Sequence, residues 1–231
     1  MQELEPIGTD IWIADGPTVS FLGFPYSTRM AVVRLDDGSL WVWSPIELSD
    51  GVKAELASLG QVRFLVSPNK LHHLFLEPWS ATFTDAQLYA PPGLAKKRPK
   101  LSFTAELTDT PPASWAEEID QVVVRGSLFM EEVLFFHRAS KTCLVGDLIQ
   151  RFDPDELSRW QRWIMSADGL VGEKGSTPRE WRLSFIDRKA ARAAVRKALA
   201  WEPERLVIAH GTWVRAQGTT ALREGLAWLG V

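Results

Sequence analysis

Phe64-Leu65-Val66-Ser67-Pro68-Asn69-Lys70-Leu71-His72-His73 is the stretch on which the reading of the fold turns. An apolar run closes at Ser-Pro, and two adjacent histidines follow, half of the four in the chain. Short apolar runs ended by turn residues read as buried strands. The histidines are therefore expected just past the C-terminal end of a strand over 62–66. In open α/β folds that rim is where ligands bind.

Outward from this point, 49–59 has apolar positions at Val52, Leu56 and Leu59, with Ser49 or Asp50 to cap its start and Gly60 to stop it. That predicts a helix of about three turns. Upstream, 30–35 and 40–43 flank Asp36-Asp37-Gly38 as a hairpin, and 11–14 alternates before Asp15-Gly16-Pro17, which reads as a turn. Strand, helix, strand across 40–66 implies a right-handed crossover and a partly parallel sheet.

Downstream, 74–83 is expected to be partly helical and 87–90 a short strand. Residues 94–115, rich in Pro, Thr and Lys, read as a loop-heavy excursion, either a lid or a long connection. Strand 119–124 precedes a hairpin of 132–137 and 142–147. Helices are expected at 153–164, 187–200 and 216–229, a Gly-rich loop at 168–181, and a last buried strand at 206–209. Hairpins and αβ units in this order predict a sheet-on-sheet core with helices outside, the αββα sandwich, as one domain over 1–231.

The bulk properties exclude several functions. Net charge is −3 over 231 residues, and the one basic run, Lys96-Lys97-Arg98-Pro99-Lys100, reads as a solvated loop, so no nucleic-acid partner is expected. No stretch is long and apolar enough for a membrane span, and the acidic start of the chain does not read as a signal peptide, which predicts a cytoplasmic protein. The single cysteine, Cys143, lies in a strand-like run and reads as a buried thiol. Eleven tryptophans are dispersed, which argues for packing rather than one aromatic platform; Trp-rich surface segments leave a homodimer open.

Three predicted strands end in residues that can bind metal: 62–66 leads to His72 and His73, 142–146 to Asp147, and 206–209 to His210. Imidazole and carboxylate suit zinc, iron and manganese. His137 is set apart. If Arg138 faces Lys141 across the hairpin, His137 faces Thr142, five residues before Asp147, so at about 3.3 Å per residue it lies roughly 16 Å from the strand's end.

With these residues in view, the chain resembles the metallo-β-lactamase-like superfamily, and within it the uncharacterised DUF4336 branch. The resemblance is carried by Ser44-Pro45-Ile46, Asn69-Lys70-Leu71-His72-His73, the segment from Phe136 through Gly146-Asp147-Leu148, and Ala209-His210-Gly211. It implies an αββα sandwich with a metal site between the rims of the two sheets. Laid on the superfamily's His-x-His-x-Asp-His motif with the final His on His73, Pro68 and Lys70 replace the first two histidines and His72 replaces the Asp. One of the two usual metal sites is then absent or rebuilt. The other maps onto His72, His73, Asp147 and His210, which suit a single divalent ion, zinc or iron. Asn69 and Glu77 are expected to orient the imidazoles, Lys70 to favour an anionic ligand, and the Asp that supports the site in relatives is missing, its place taken near Ser44.

Two functions follow. The first is a mononuclear metallohydrolase acting on an unknown small-molecule ester, lactone or phosphoester; four protein ligands would close the shell, so one of them, His72, is expected to be loose. The second is a non-catalytic or metal-free descendant that binds a small anionic ligand or a partner in the same cleft.

Overall fold

The computed structural model describes residues 3–21 and 23–231. The chain opens with β1 (Glu5–Gly8), β2 (Ile11–Phe21), β3 (Phe24–Arg34) and β4 (Ser39–Trp43), an antiparallel meander. Helix α1 (Asp50–Leu59) crosses over to β5 (Gln61–Val66), which runs parallel to β4. Ser49 caps α1 by accepting from the Val52 N–H, and the Gly60 N–H donates to the Leu56 carbonyl. Helix α2 (Leu76–Thr82), β6 (Gln87–Ala90), α3 (Leu94–Lys97) and β7 (Ala105–Glu106) complete a seven-stranded sheet ordered β1 to β7.

The second sheet is built from β8 (Ile119–Val124), β9 (Glu132–His137), β10 (Thr142–Val145) and, after helices α4 (Arg159–Ala167), α5 (Arg179–Leu183) and α6 (Arg188–Ala200), the final strand β11 (Arg205–Ile208). Its order is β11-β10-β9-β8, with β11 parallel to β10 and the rest antiparallel. Helix α7 (Gly218–Gly225) follows. His137 pairs with Thr142, the register that the hairpin arithmetic predicts.

Side-chain alternation divides the strands between layers. Trp41, Trp43, Phe64 and Val66 face Val133, Phe135, Leu144 and Val207 in one buried cluster between the sheets. Leu40, Val42, Val62 and Leu65 turn the other way, against Val52 and Leu56 of α1 and Leu76 and Trp79 of α2. Leu134, Phe136, Cys143 and Val145 pack on Ala191, Val195 and Ala198 of α6 and Leu222 of α7. Strands buried on both faces explain why they read as continuous apolar runs. The result is four layers, helices–sheet–sheet–helices, the αββα sandwich that the element order predicts.

Two local expectations are corrected. Strand β2 continues through Asp15-Gly16-Pro17 instead of turning there. A shift of register between Gly16 and Val19 absorbs the proline, which donates no ladder hydrogen bond. The helix expected over 153–164 breaks at Leu157, whose extended backbone buries its side chain with Phe152 and Met165. Only a single 3-10 turn, Pro154–Glu156, precedes it, and α4 starts after Ser158, whose backbone N–H and hydroxyl both donate to Gln161 Oε1. The excursion over 94–115 is loop-heavy as expected, with the short α3 and with β7, which adds an edge strand beside β6.

Candidate metal centre

Strands β4 and β5 end side by side, and each delivers one side chain. Beyond β5 the Ser67 hydroxyl is hydrogen-bonded to the carbonyl oxygens of Asn69 (2.8 Å) and His72 (2.7 Å), which closes the turn. Asn69 is fully buried: its side-chain oxygen accepts from the Leu71 N–H (2.8 Å), and its amide lies 2.8 Å from Glu132 Oε2 and 2.9 Å from Asp147 Oδ2. Beyond β4, Ser44 sits in the left-handed region (φ 51°) and its hydroxyl lies 2.7 Å from His72 Nδ1. This hydroxyl supports the His72 ring.

The other sheet supplies Asp147 and His210. Glu132, at the start of β9, accepts from the N–H groups of Gly146 (2.9 Å), Asp147 (2.7 Å) and Leu148 (3.2 Å). A Cβ at Gly146 would lie 2.9 Å from Glu132 Oε2, so this approach of carboxylate to backbone needs glycine. The Asp147 carboxylate is thereby turned towards His210 Nε2 (3.0 Å) and His72 Nε2 (3.3 Å). His210 Nδ1 donates to the Ser27 carbonyl (2.6 Å), which directs Nε2 at Asp147. Arg29, buried in the adjacent β3, donates from Nη1 to the carbonyls of Ile208 and Gly211 (2.7 Å each) and from Nε to Asp15 (2.7 Å).

Burial favours the neutral form of every carboxyl here, and the neighbours decide the outcome. For Asp147, burial is opposed by the His72 and His210 imidazoles, which hold the carboxyl well below its ordinary range. For His210, burial pushes down, but the hydrogen bond to Asp147 and its charge win, and the imidazole lies above its ordinary value. Glu132 is pushed up to about 8 by burial and by the Asp147 charge. Tyr26, whose ring meets that of His210 edge-on at 5.2 Å, is raised to about 12, chiefly by burial, and keeps its proton.

Of the residues singled out from the sequence, the structure brings together His72, Asp147 and His210: one ligand atom of each lies within 4.8 Å of the others, the one such group among the described residues. His73 stands outside it. Its Nδ1 lies 3.0 Å from Arg98 Nη1, and burial together with the charges of Lys97 and Arg98 drives it below its ordinary value, surroundings hostile to a cation. Glu77 is mostly exposed and pairs with Arg98 (2.7 Å), so it orients no ligand of the group. Lys70 turns its ammonium to the Phe129 carbonyl and ring rather than into a vacated metal position. Asn69 donates to the Asp147 and Glu132 carboxylates rather than to an imidazole. The sequence reading missed Ser44 as a support, and with it Ser27, Arg29 and Glu132. Arg29 and Glu132, charged residues inside predominantly apolar strands, were the available signal.

Two imidazoles and one carboxylate are a donor set that zinc and non-haem iron both accept, with room left for further ligands. His72 Nε2 supports the fit: it is buried, lies 3.3 Å from Asp147 Oδ2 and has no hydrogen-bond partner. The centre lines a cavity of about 430 Å³, walled mainly by apolar side chains.

The family described as Domain of unknown function (DUF4336) matches over residues 10–158. No match was found among curated proteins. The chain superposes over its whole length on a metallo-β-lactamase from Pontibacter korlensis (TM-score 0.65, 12% identity, 99% of that chain covered). It also superposes over 98% of its length on a metallo-β-lactamase from Hirschia baltica (TM-score 0.64, 12% identity, 96% covered). The same share aligns with a metal-soaked Flv1 flavodiiron core from Synechocystis sp. PCC6803 (TM-score 0.64, 12% identity, 60% covered). At these identities the likeness is one of fold, the metallo-β-lactamase fold.

Proposed function

The chain belongs to the DUF4336 family, and from that premise we propose that it is a hydrolase-like protein of the metallo-β-lactamase fold, using one divalent ion, zinc or iron, on an ester, lactone or phosphoester substrate. The observation that carries the reading is the three-residue group His72, Asp147 and His210 at the wall of a cavity large enough for a small molecule. A fourth ligand would close the shell; with His73 drawn off by Arg98, three ligands leave coordination open, the arrangement of catalytic rather than structural sites. There is then no need for His72 to be loose.

An ion held there would supply Lewis-acid polarisation of the scissile group and acidification of water. The protein's own contribution is positioning. The Ser27 carbonyl fixes the His210 tautomer, Ser44 holds the His72 ring, and Asn69 holds the carboxylate that both rings face. The apolar walls lower the water content around the reacting group, which strengthens each of these interactions.

A second reading, a metal-free descendant of the fold, is favoured by one observation: His210 and Asp147 already satisfy each other at 3.0 Å. Metal content separates the two. Protein purified without chelator and reloaded is expected to hold close to one zinc or iron per chain by plasma mass spectrometry. His73→Ala should hold as much and His72→Ala far less, with circular dichroism confirming folding. Wild-type occupancy below about 0.2 per chain after reloading would leave the metal-free descendant standing.

A further inference from the structure

We infer that the cavity over the centre takes an amphiphilic anion, a molecule with an apolar body and one anionic group, and that Lys97 holds the anion. The inference rests on the cavity being the substrate site. It names the substrate class that the proposed function leaves open.

The cavity wall is divided. Leu71, Phe75, Phe129, Met130 and Trp181 line it with apolar surface, and at one corner Lys97 faces into it beside His73. This corner is short of negative charge. Lys70, Lys97 and Arg98 gather there, and the charges that act on Lys97 are those of Lys70 and Arg98, both of its own sign. Arg98 is held by Glu77 at 2.7 Å, and Lys70 is turned to the Phe129 carbonyl with its ammonium 5.3 Å from the centre of that ring. Lys97 donates to one neutral group, the Lys70 carbonyl at 3.0 Å. An ammonium carries three donors, so two are left for a ligand in the cavity that Lys97 lines. The Glu180 carboxylate also lines the cavity and repels an anion from its side, which favours the Lys97 corner for the charged end.

The apolar surface does not stop at the cavity. Leu74 and Phe129 line it yet are 57% and 44% exposed, and Leu128, beside Phe129, is 75% exposed. Apolar surface exposed around the entrance of an apolar pocket marks a binding groove. A compact polar substrate would leave it unused, whereas a chain or ring system would cover it.

Two fluorescent probes test this: 8-anilinonaphthalene-1-sulfonate and its uncharged analogue N-phenyl-1-naphthylamine, which share one apolar body. Titrations are run with chelator present, so that no metal can hold the sulfonate and the outcome is independent of whether the protein binds an ion. Lys97→Met should weaken the sulfonate about tenfold, the loss of one hydrogen bond to a charged group, and leave the uncharged probe within about twofold. Lys97→Arg should restore sulfonate binding, and Phe129→Ala should weaken both probes. Equal effects of Lys97→Met on the two probes, or none on the sulfonate, would overturn the anion assignment. Unchanged binding of both probes to Phe129→Ala would overturn the apolar one.

Discussion

His137 and His210 are both buried imidazoles, and their neighbours drive them in opposite directions. His210 has a carboxylate at 3.0 Å and is held above its ordinary value. His137 has the Ser140 hydroxyl at 2.8 Å, and burial takes it down to about 4. The sequence could separate the two, because counting residues along the 132–147 hairpin placed His137 far from the strand ends. It could not separate His72 from His73, since adjacent residues in a turn point apart and nothing in their order says which one Arg98 claims. The His137 value makes a prediction. Below pH 6.5 the unfolded chain protonates this residue and the folded chain does not, so stability is lost as pH falls from about 6.5 towards 4. At about 1.4 kcal/mol per pH unit, the full loss is roughly 3 kcal/mol. Urea denaturation should show wild type losing about 2 kcal/mol more than His137→Gln between pH 7 and pH 5, the other histidines cancelling in the comparison. Parallel pH profiles for the two proteins would show that burial of His137 does not suppress its protonation.

At the scale of elements, alternation and caps were legible and exceptions to them were not. Strands β4, β5, β9 and β10 and helix α1 lie within a residue or two of where apolar period and capping residues predict them. Strand β2 was cut short because Gly16-Pro17 has the composition of a turn, and only the pairing with β3 shows that a bulge carries the strand past it. The break at Leu157 is likewise decided by tertiary burial, which local propensity does not report. The end of β11 shows how an element positions chemistry. After His210 the chain turns at Gly211 (φ 89°), where an added Cβ would lie 1.9 Å from the Arg151 carbonyl oxygen. Gly172 has a similar φ of 96° but nothing within 4 Å of the same position. Both Gly→Ala substitutions meet the left-handed backbone penalty, and only Gly211→Ala must also move backbone. Gly211→Ala is therefore expected to cost at least about 2 kcal/mol more than Gly172→Ala in urea denaturation. Equal costs would mean that the β11 turn relaxes freely and does not fix His210.

At the scale of the molecule, the three candidate ligand residues come from both halves of the sandwich. His72 hangs from the rim of the seven-stranded sheet, and Asp147 and His210 from that of the four-stranded one. The sequence showed this arrangement only as an order of motifs, because the convergence of strand ends far apart in the chain depends on how the sheets face each other across the Trp41–Phe135 core. The consequence is thermodynamic. An ion bound by this group ties one sheet to the other and exists only in the folded state, so it must stabilise the whole fold rather than a loop. At a free concentration of about a hundred times the dissociation constant, the gain is roughly 2.7 kcal/mol. For a chain of this size that amounts to a rise in Tm of about 5–10 °C. Calorimetry with added zinc should show the rise in wild type and in His73→Ala, and none in His210→Ala, whose remaining ligands still span the sheets but number only two. A rise retained in His210→Ala would place the binding elsewhere on the surface. A rise lost in His73→Ala would return that residue to the coordination shell and make the centre closed.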